Sequence, residues 1–140
     1  MLDTATNLAG MLSDPALLET RGYLAGNWST ADTGATFPVT NPARGDVIAD
    51  VADFSRAETA RAIEAARLAQ KDWAARTAKE RGTILRRWHA EMTAAADDLA
   101  LILTAEQGKP LAEAKGEILY GASFVEWFAE EGRRVYGETI

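Results

Sequence analysis

Residues 103–118 read LTAEQGKPLAEAKGEI, two helical patterns broken at Gly108-Lys109-Pro110. Gly108 is free to take the left-handed conformation that ends a helix. Pro110 suits the first turn of the next helix, where its missing N–H has no partner to lose. Lys109, between them, can approach the carbonyls at the C-terminus of the first helix. A phosphate-binding loop needs Gly-x-x-x-x-Gly-Lys followed by Ser or Thr, and that spacing is absent. The stretch reads as a corner between helices, and its lysine is assigned no chemistry.

Beyond the corner, a last helix is predicted from about residue 117 to 134, with Tyr120, Phe124, Trp127 and Phe128 on or near one face, read as a core-facing stripe. Before the corner, SRAE at 55–58 and TAKE at 77–80 are capping boxes that start helices. After the first, Ala60, Ile63, Ala66, Ala69 and Trp73 recur at three to four residues and mark one face of a helix. After the second come Leu85, Trp88, Met92, Ala95, Leu99, Ile102 and Leu103. That run is longer than a usual globular helix, and Asp97-Asp98 offers a restart, so a break is expected near residues 95–98.

The N-terminal third follows a different period. Asp14-Pro15 is an N-cap followed by proline, predicting a short helix over about 15–20. Gly26-Asn27 within YLAGNWS signals a two-residue hairpin turn. TFPVTNP and DVIADVA, joined through NPARG, predict a second hairpin, so residues 22–52 should be strands.

Composition bounds the function. Of 140 residues, 47% are hydrophobic and 26% charged, a globular balance. A net charge of −6 argues against nucleic acid as a general partner. Residues 55–89 hold nine Arg/Lys against four Asp/Glu, which reads as a solvated helix face. There is no cysteine, so no disulfide, thiolate metal site or cysteine nucleophile lies in this chain. No apolar run approaches the roughly 20 residues of a membrane span. The N-terminus lacks a basic segment of the signal-peptide kind, and a cytoplasmic location is expected. His89 is the single histidine and is read as surface or packing; Glu130 and Glu131 are adjacent and diverge by about 100° on a helix. No Gly-x-Gly-x-x-Gly follows a strand. The residues contain no catalytic constellation, and VYGETI at 135–140 reads as the start of a strand or connection, so the helices are expected to want a further layer.

The motifs YLAGNW, FPVTNPARGDVIADVAD, KERGTILRRW, LTAEQGKPLAEAKGEI and SFVEWFAEEGRRVYGETI together resemble the N-terminal segment of the aldehyde dehydrogenase superfamily. The last two, with LSDPALLETRGYLAGNW, most resemble the NAD(P)-dependent succinate-semialdehyde dehydrogenases, and the resemblance covers the chain from about residue 12 onward. It implies an α+β fragment of an α/β enzyme: N-terminal β-hairpins followed by long amphipathic helices, lacking the dinucleotide-binding parallel sheet. Residues 1–20 would be an N-terminal extension with a short helix, 21–54 the hairpins, and 55–140 the truncated helical part of the cofactor-binding domain. The full-length enzyme would oxidise succinate semialdehyde to succinate with NAD or NADP; this chain alone would hold no catalytic or cofactor-binding residue and be inactive. Its partners would be the remainder of the subunit and further copies in a homo-oligomer, with neither nucleic acid nor membrane. The alternative is a free-standing helical module that pairs with full-length subunits.

Two sites carry over by resemblance. Some family members hold a monovalent cation with a backbone carbonyl before Asn-Pro and a carboxylate before Gly-Lys-Pro, here Thr40 and Glu106; the competing reading has Glu106 capping or pairing at its own helix end. The last helix borders the substrate entrance in relatives, which places Tyr120, Gly121 and Phe124 there; core packing is the competing reading.

Overall fold

The computed structural model describes residues 4–137. The corner read from the sequence is present. Helix α4 (Ala96–Gln107) ends at Gly108, whose φ of 76° is left-handed and whose N–H donates to the Thr104 carbonyl at 2.9 Å. Pro110 stands at the N-cap of α5 (Leu111–Glu131), and its carbonyl accepts from the Ala114 N–H at 3.0 Å. The last helix therefore begins at residue 111 rather than near 117, and it stops at 131 rather than 134. The fixed φ of proline returns the chain to helix at once. Gly116 and Gly121 inside α5 each weaken it by only about 0.5–1 kcal/mol, too little to delay it. Lys109 does not turn back to the α4 carbonyls; its ammonium pairs forward with the Glu117 carboxylate.

Among the described residues, two antiparallel hairpins precede the long helices. Strands β1 (Gly22–Leu24) and β2 (Asn27–Ser29) pair Tyr23 with Trp28. Their turn is Ala25-Gly26, at φ 50° and 90°, so Asn27 lies in β2 rather than in the turn. A primed two-residue turn needs positive φ at both positions. The strained Ala25 is offset by the Tyr23–Trp28 edge-to-face contact at 5.1 Å, which a turn one residue later would break. Strands β3 (Thr36–Thr40) and β4 (Val47–Ala52) pair with a bulge between Val39 and Thr40. Helix α1 (Thr4–Met11), absent from the sequence expectation, lies against β4, where Leu8, Leu12 and Ile48 are buried. The helix expected over 15–20 is only a 3₁₀ turn, Pro15–Leu17, capped by the Asp14 carboxylate.

Two-stranded sheets are marginal alone, and buried carboxylates tie the chain that precedes and links them to the helices. The capping box of α2 (Arg56–Ala75) forms as its sequence predicts. The same Glu58 carboxylate also accepts the Asp32 N–H at 2.6 Å while accepting Ser55 N–H at 2.7 Å, and it is buried. Asp97-Asp98 marks a helix restart in the sequence. The break does fall at Ala95, but the Asp98 carboxylate accepts the N–H groups of Ser13 and Asp14, each at 2.9 Å, and so fastens α4 to the N-terminal turn.

The helix layer is built on small residues. Helix α3 (Ala78–Ala94) runs antiparallel to α5: Gly82 meets Ala129, Arg86 pairs with Glu130, and His89 reaches Ala122. The inward stripe of α5 is Ala114, Ile118, Ala122, Val125 and Ala129. Tyr120 and Phe124 stand two residues on from Ile118 and Ala122, about 200° around the helix. The stripe read as core is thus exposed, with Trp127 60% and Phe128 61% accessible. The face marked on α2 is turned inward only at Trp73, which is half-buried: Ile63 is exposed, and Glu58, Ala62 and Ala65 are the other inward positions. The chain presents 10019 Å² of surface for 15.1 kDa, where a self-contained globule of that mass presents about 7100 Å².

An alanine Cβ at Gly82 would lie 2.9 Å from the Ala129 carbonyl oxygen. Gly82→Ala should therefore destabilise the chain by about 1–3 kcal/mol, read by urea denaturation. Glu58 has its carboxyl held below the ordinary range, first by hydrogen bonding from Ser55 and then by the Asp32 amide. A lowered folded pKa stabilises above the unfolded value, about 4.3, and that contribution is lost as pH falls through the folded value. Glu58→Gln should lower the melting temperature at pH 7 and flatten its decline in acid, measured by circular dichroism melts from pH 7 to 3.

Candidate functional site

The Thr40 and Glu106 segments converge at the corner. Thr40 ends β3 opposite Val47, just after the bulge, and leads into the Asn41–Gly45 turn. That turn is closed by the Gly45 N–H donating to the Asn41 carbonyl at 2.7 Å and by Asn41 Oδ1 accepting from Ala43 N–H at 2.9 Å. Pro42 then packs on Gly108, where a Cβ would lie 2.9 Å from the proline Cγ. Gly108 is thus required twice, for its left-handed φ and for this approach. The structure brings the two turns together through Pro42 and Gly108 and gives no direct contact between Thr40 and Glu106.

Glu106 is exposed and, among the described residues, makes no hydrogen bond or ion pair, so the local cap or pair expected as the alternative does not form. It stands next to last in α4, whose final turn has no basic residue. Carbonyl oxygens already make that end negative, and a carboxylate there is unfavourable without a cation. Among the described residues no group of three or more His, Cys, Asp or Glu could hold a metal ion, so any cation here would rely on backbone oxygen. A cavity of about 200 Å³ lies alongside, between Leu8, Ile48, Leu101 and Thr104. The Thr104 hydroxyl is buried without a partner among the described residues.

The second candidate is the outer face of α5. Tyr120 and Phe124 meet edge-to-face at 4.8 Å and 78°, both exposed, and nothing lies within 4 Å of a Cβ built on Gly121. A groove of about 570 Å³ continues along Phe124, Trp127 and Phe128, edged by Glu126 and Glu130. The position of this face is fixed from behind. His89 Nδ1 lies 3.0 Å from the Ala122 carbonyl, which requires that nitrogen to carry the proton. The lone histidine is thus a tie between α3 and α5. Trp127 and Phe128 were missed as surface residues; the alanines at 114, 122 and 129, spaced eight and seven apart, were the signal that the small residues face inward.

Gly108→Ala should cost about 1–2 kcal/mol from the left-handed backbone alone, and more from the Pro42 clash. In a double-mutant cycle, Pro42→Ala should recover the clash part and leave the backbone part, read by chemical denaturation of the four proteins.

The aldehyde dehydrogenase family profile matches residues 28–140. The chain is 57% identical to the glutarate-semialdehyde dehydrogenase of Pseudomonas putida, over 92% of this chain and 27% of that one. It is 54% identical to the NADP(+) succinate-semialdehyde dehydrogenase GabD of Escherichia coli, with the same coverage of 92% and 27%. It superimposes on the crystal structure of succinate-semialdehyde dehydrogenase from Burkholderia pseudomallei with a TM-score of 0.91 and 59% identity, covering 94% of this chain and 27% of that one. It spans about a quarter of the length of these relatives and corresponds to their N-terminal part. With its paired hairpins and its alanine-packed helices in that arrangement, the chain belongs to the aldehyde dehydrogenase family.

Proposed function

We propose that this chain serves as the N-terminal segment of an NAD(P)+-dependent succinate-semialdehyde dehydrogenase and is inert alone. The observation that carries this reading is the TM-score of 0.91 at 59% identity to a succinate-semialdehyde dehydrogenase. The large exposed apolar face of α5 supports it, because such a face marks a surface built for a partner. On this reading residues 55–140 are the helical part of the cofactor-binding domain, 21–54 its outer hairpins and 1–20 an extension. The partners are the rest of the subunit and, through it, further copies in a cytoplasmic homo-oligomer.

The reaction oxidises the aldehyde carbon to a carboxylate, with water supplying the added oxygen and a hydride leaving for the nicotinamide. When bound, NAD or NADP supplies the hydride acceptor; among the described residues both sheets are two-stranded and antiparallel, and the cradle for the dinucleotide is assigned to the remainder of the subunit. The nucleophile and base are assigned there too. What this chain contributes is position. Tyr120, Gly121 and Phe124 border the approach of the aldehyde: the Gly121 gap leaves room beside two rings already held against each other. The Thr40 carbonyl and the Glu106 carboxylate would hold a monovalent cation, whose charge would offset the negative end of α4. Oxygen donors suit such a hard ion.

A graft tests this reading. Residues 12–140 replace the matching segment of the Escherichia coli enzyme, and hydride transfer to NADP+ is followed with succinate semialdehyde. The expected kcat/KM lies within about tenfold of the parent, or about 1.4 kcal/mol, while the isolated chain turns over nothing. A folded, soluble graft without activity, or turnover by the pure chain, would overturn the proposal. In the active graft, Phe124→Ala should raise KM severalfold with kcat little changed, since it removes contact with the bound aldehyde and leaves the reacting groups intact. Glu106→Gln should abolish any rate difference between potassium and tetramethylammonium buffers. An unchanged difference would remove Glu106 from the cation site.

A further inference from the structure

We draw no further inference here: the strongest candidate, the exposed aromatic face of α5 with its groove along Phe124, Trp127 and Phe128, belongs to the surface already assigned to the rest of the subunit, and nothing in the structure shows what else covers it.

Discussion

Gly82 lies so close to the Ala129 carbonyl that no Cβ fits between them, and the arrangement of the helix layer follows from that approach. Helices that touch through Gly and Ala sit close together and leave little room between them for large side chains. Ala96, Ala100, Ala114, Ala122 and Ala129 are accordingly buried, while Trp88, Tyr120, Phe124, Trp127 and Phe128 are not. The layer has two apolar sides, a thin one used internally and a bulky one left open. Burying an aromatic ring is worth far more than burying a methyl group. The larger hydrophobic gain available to this sequence is thus not realised within the chain itself.

The hairpins are held by a different device. Neither contains enough strand to persist alone, and the chain that precedes and links them is tied to the helices by polar contacts across long sequence separations. Glu58 links its own helix start to Asp32, and Asp98 links α4 to Ser13 and Asp14. Both carboxyls are held below their ordinary range by these hydrogen bonds, so their strength lies at neutral pH and fades in acid. They lie apart from the exposed aromatic face, which separates what holds the segment together from what it presents.

Local chemistry made much of this legible. The Ser55 and Thr77 capping boxes, the break beside Ala95 and the left-handed Gly108 are each decided within four residues, and each forms where the sequence places it. Readings that depended on which neighbour a side chain meets went astray. The hairpin turn shifted by one residue because a Tyr23–Trp28 pair outweighed a better turn residue. The aromatic stripe of α5 has the period of a core face, and periodicity alone does not say whether the chain supplies what covers it. Counting alanines on the opposite face would have answered that. For the candidate site, the family resemblance pointed to Thr40 and Glu106 separately; only the fold shows Pro42 seated on Gly108 and bringing their segments together. Glu106 at a helix end without a basic residue was readable in outline, but its lack of a partner among the described residues was not.

On the proposed reading, the segment is a scaffold whose bulky side faces outward, and the relatives it matches are roughly three and a half times its length. The direct test of that account is dye binding to the isolated chain. A monomeric, helical chain should raise the fluorescence of an apolar-surface dye strongly, and a Tyr120→Ser, Phe124→Ser, Trp127→Ser variant of equal helicity should lose most of that signal. A monomeric chain that binds no dye would contradict the account, because it would mean the aromatic side is already covered by the chain's own residues.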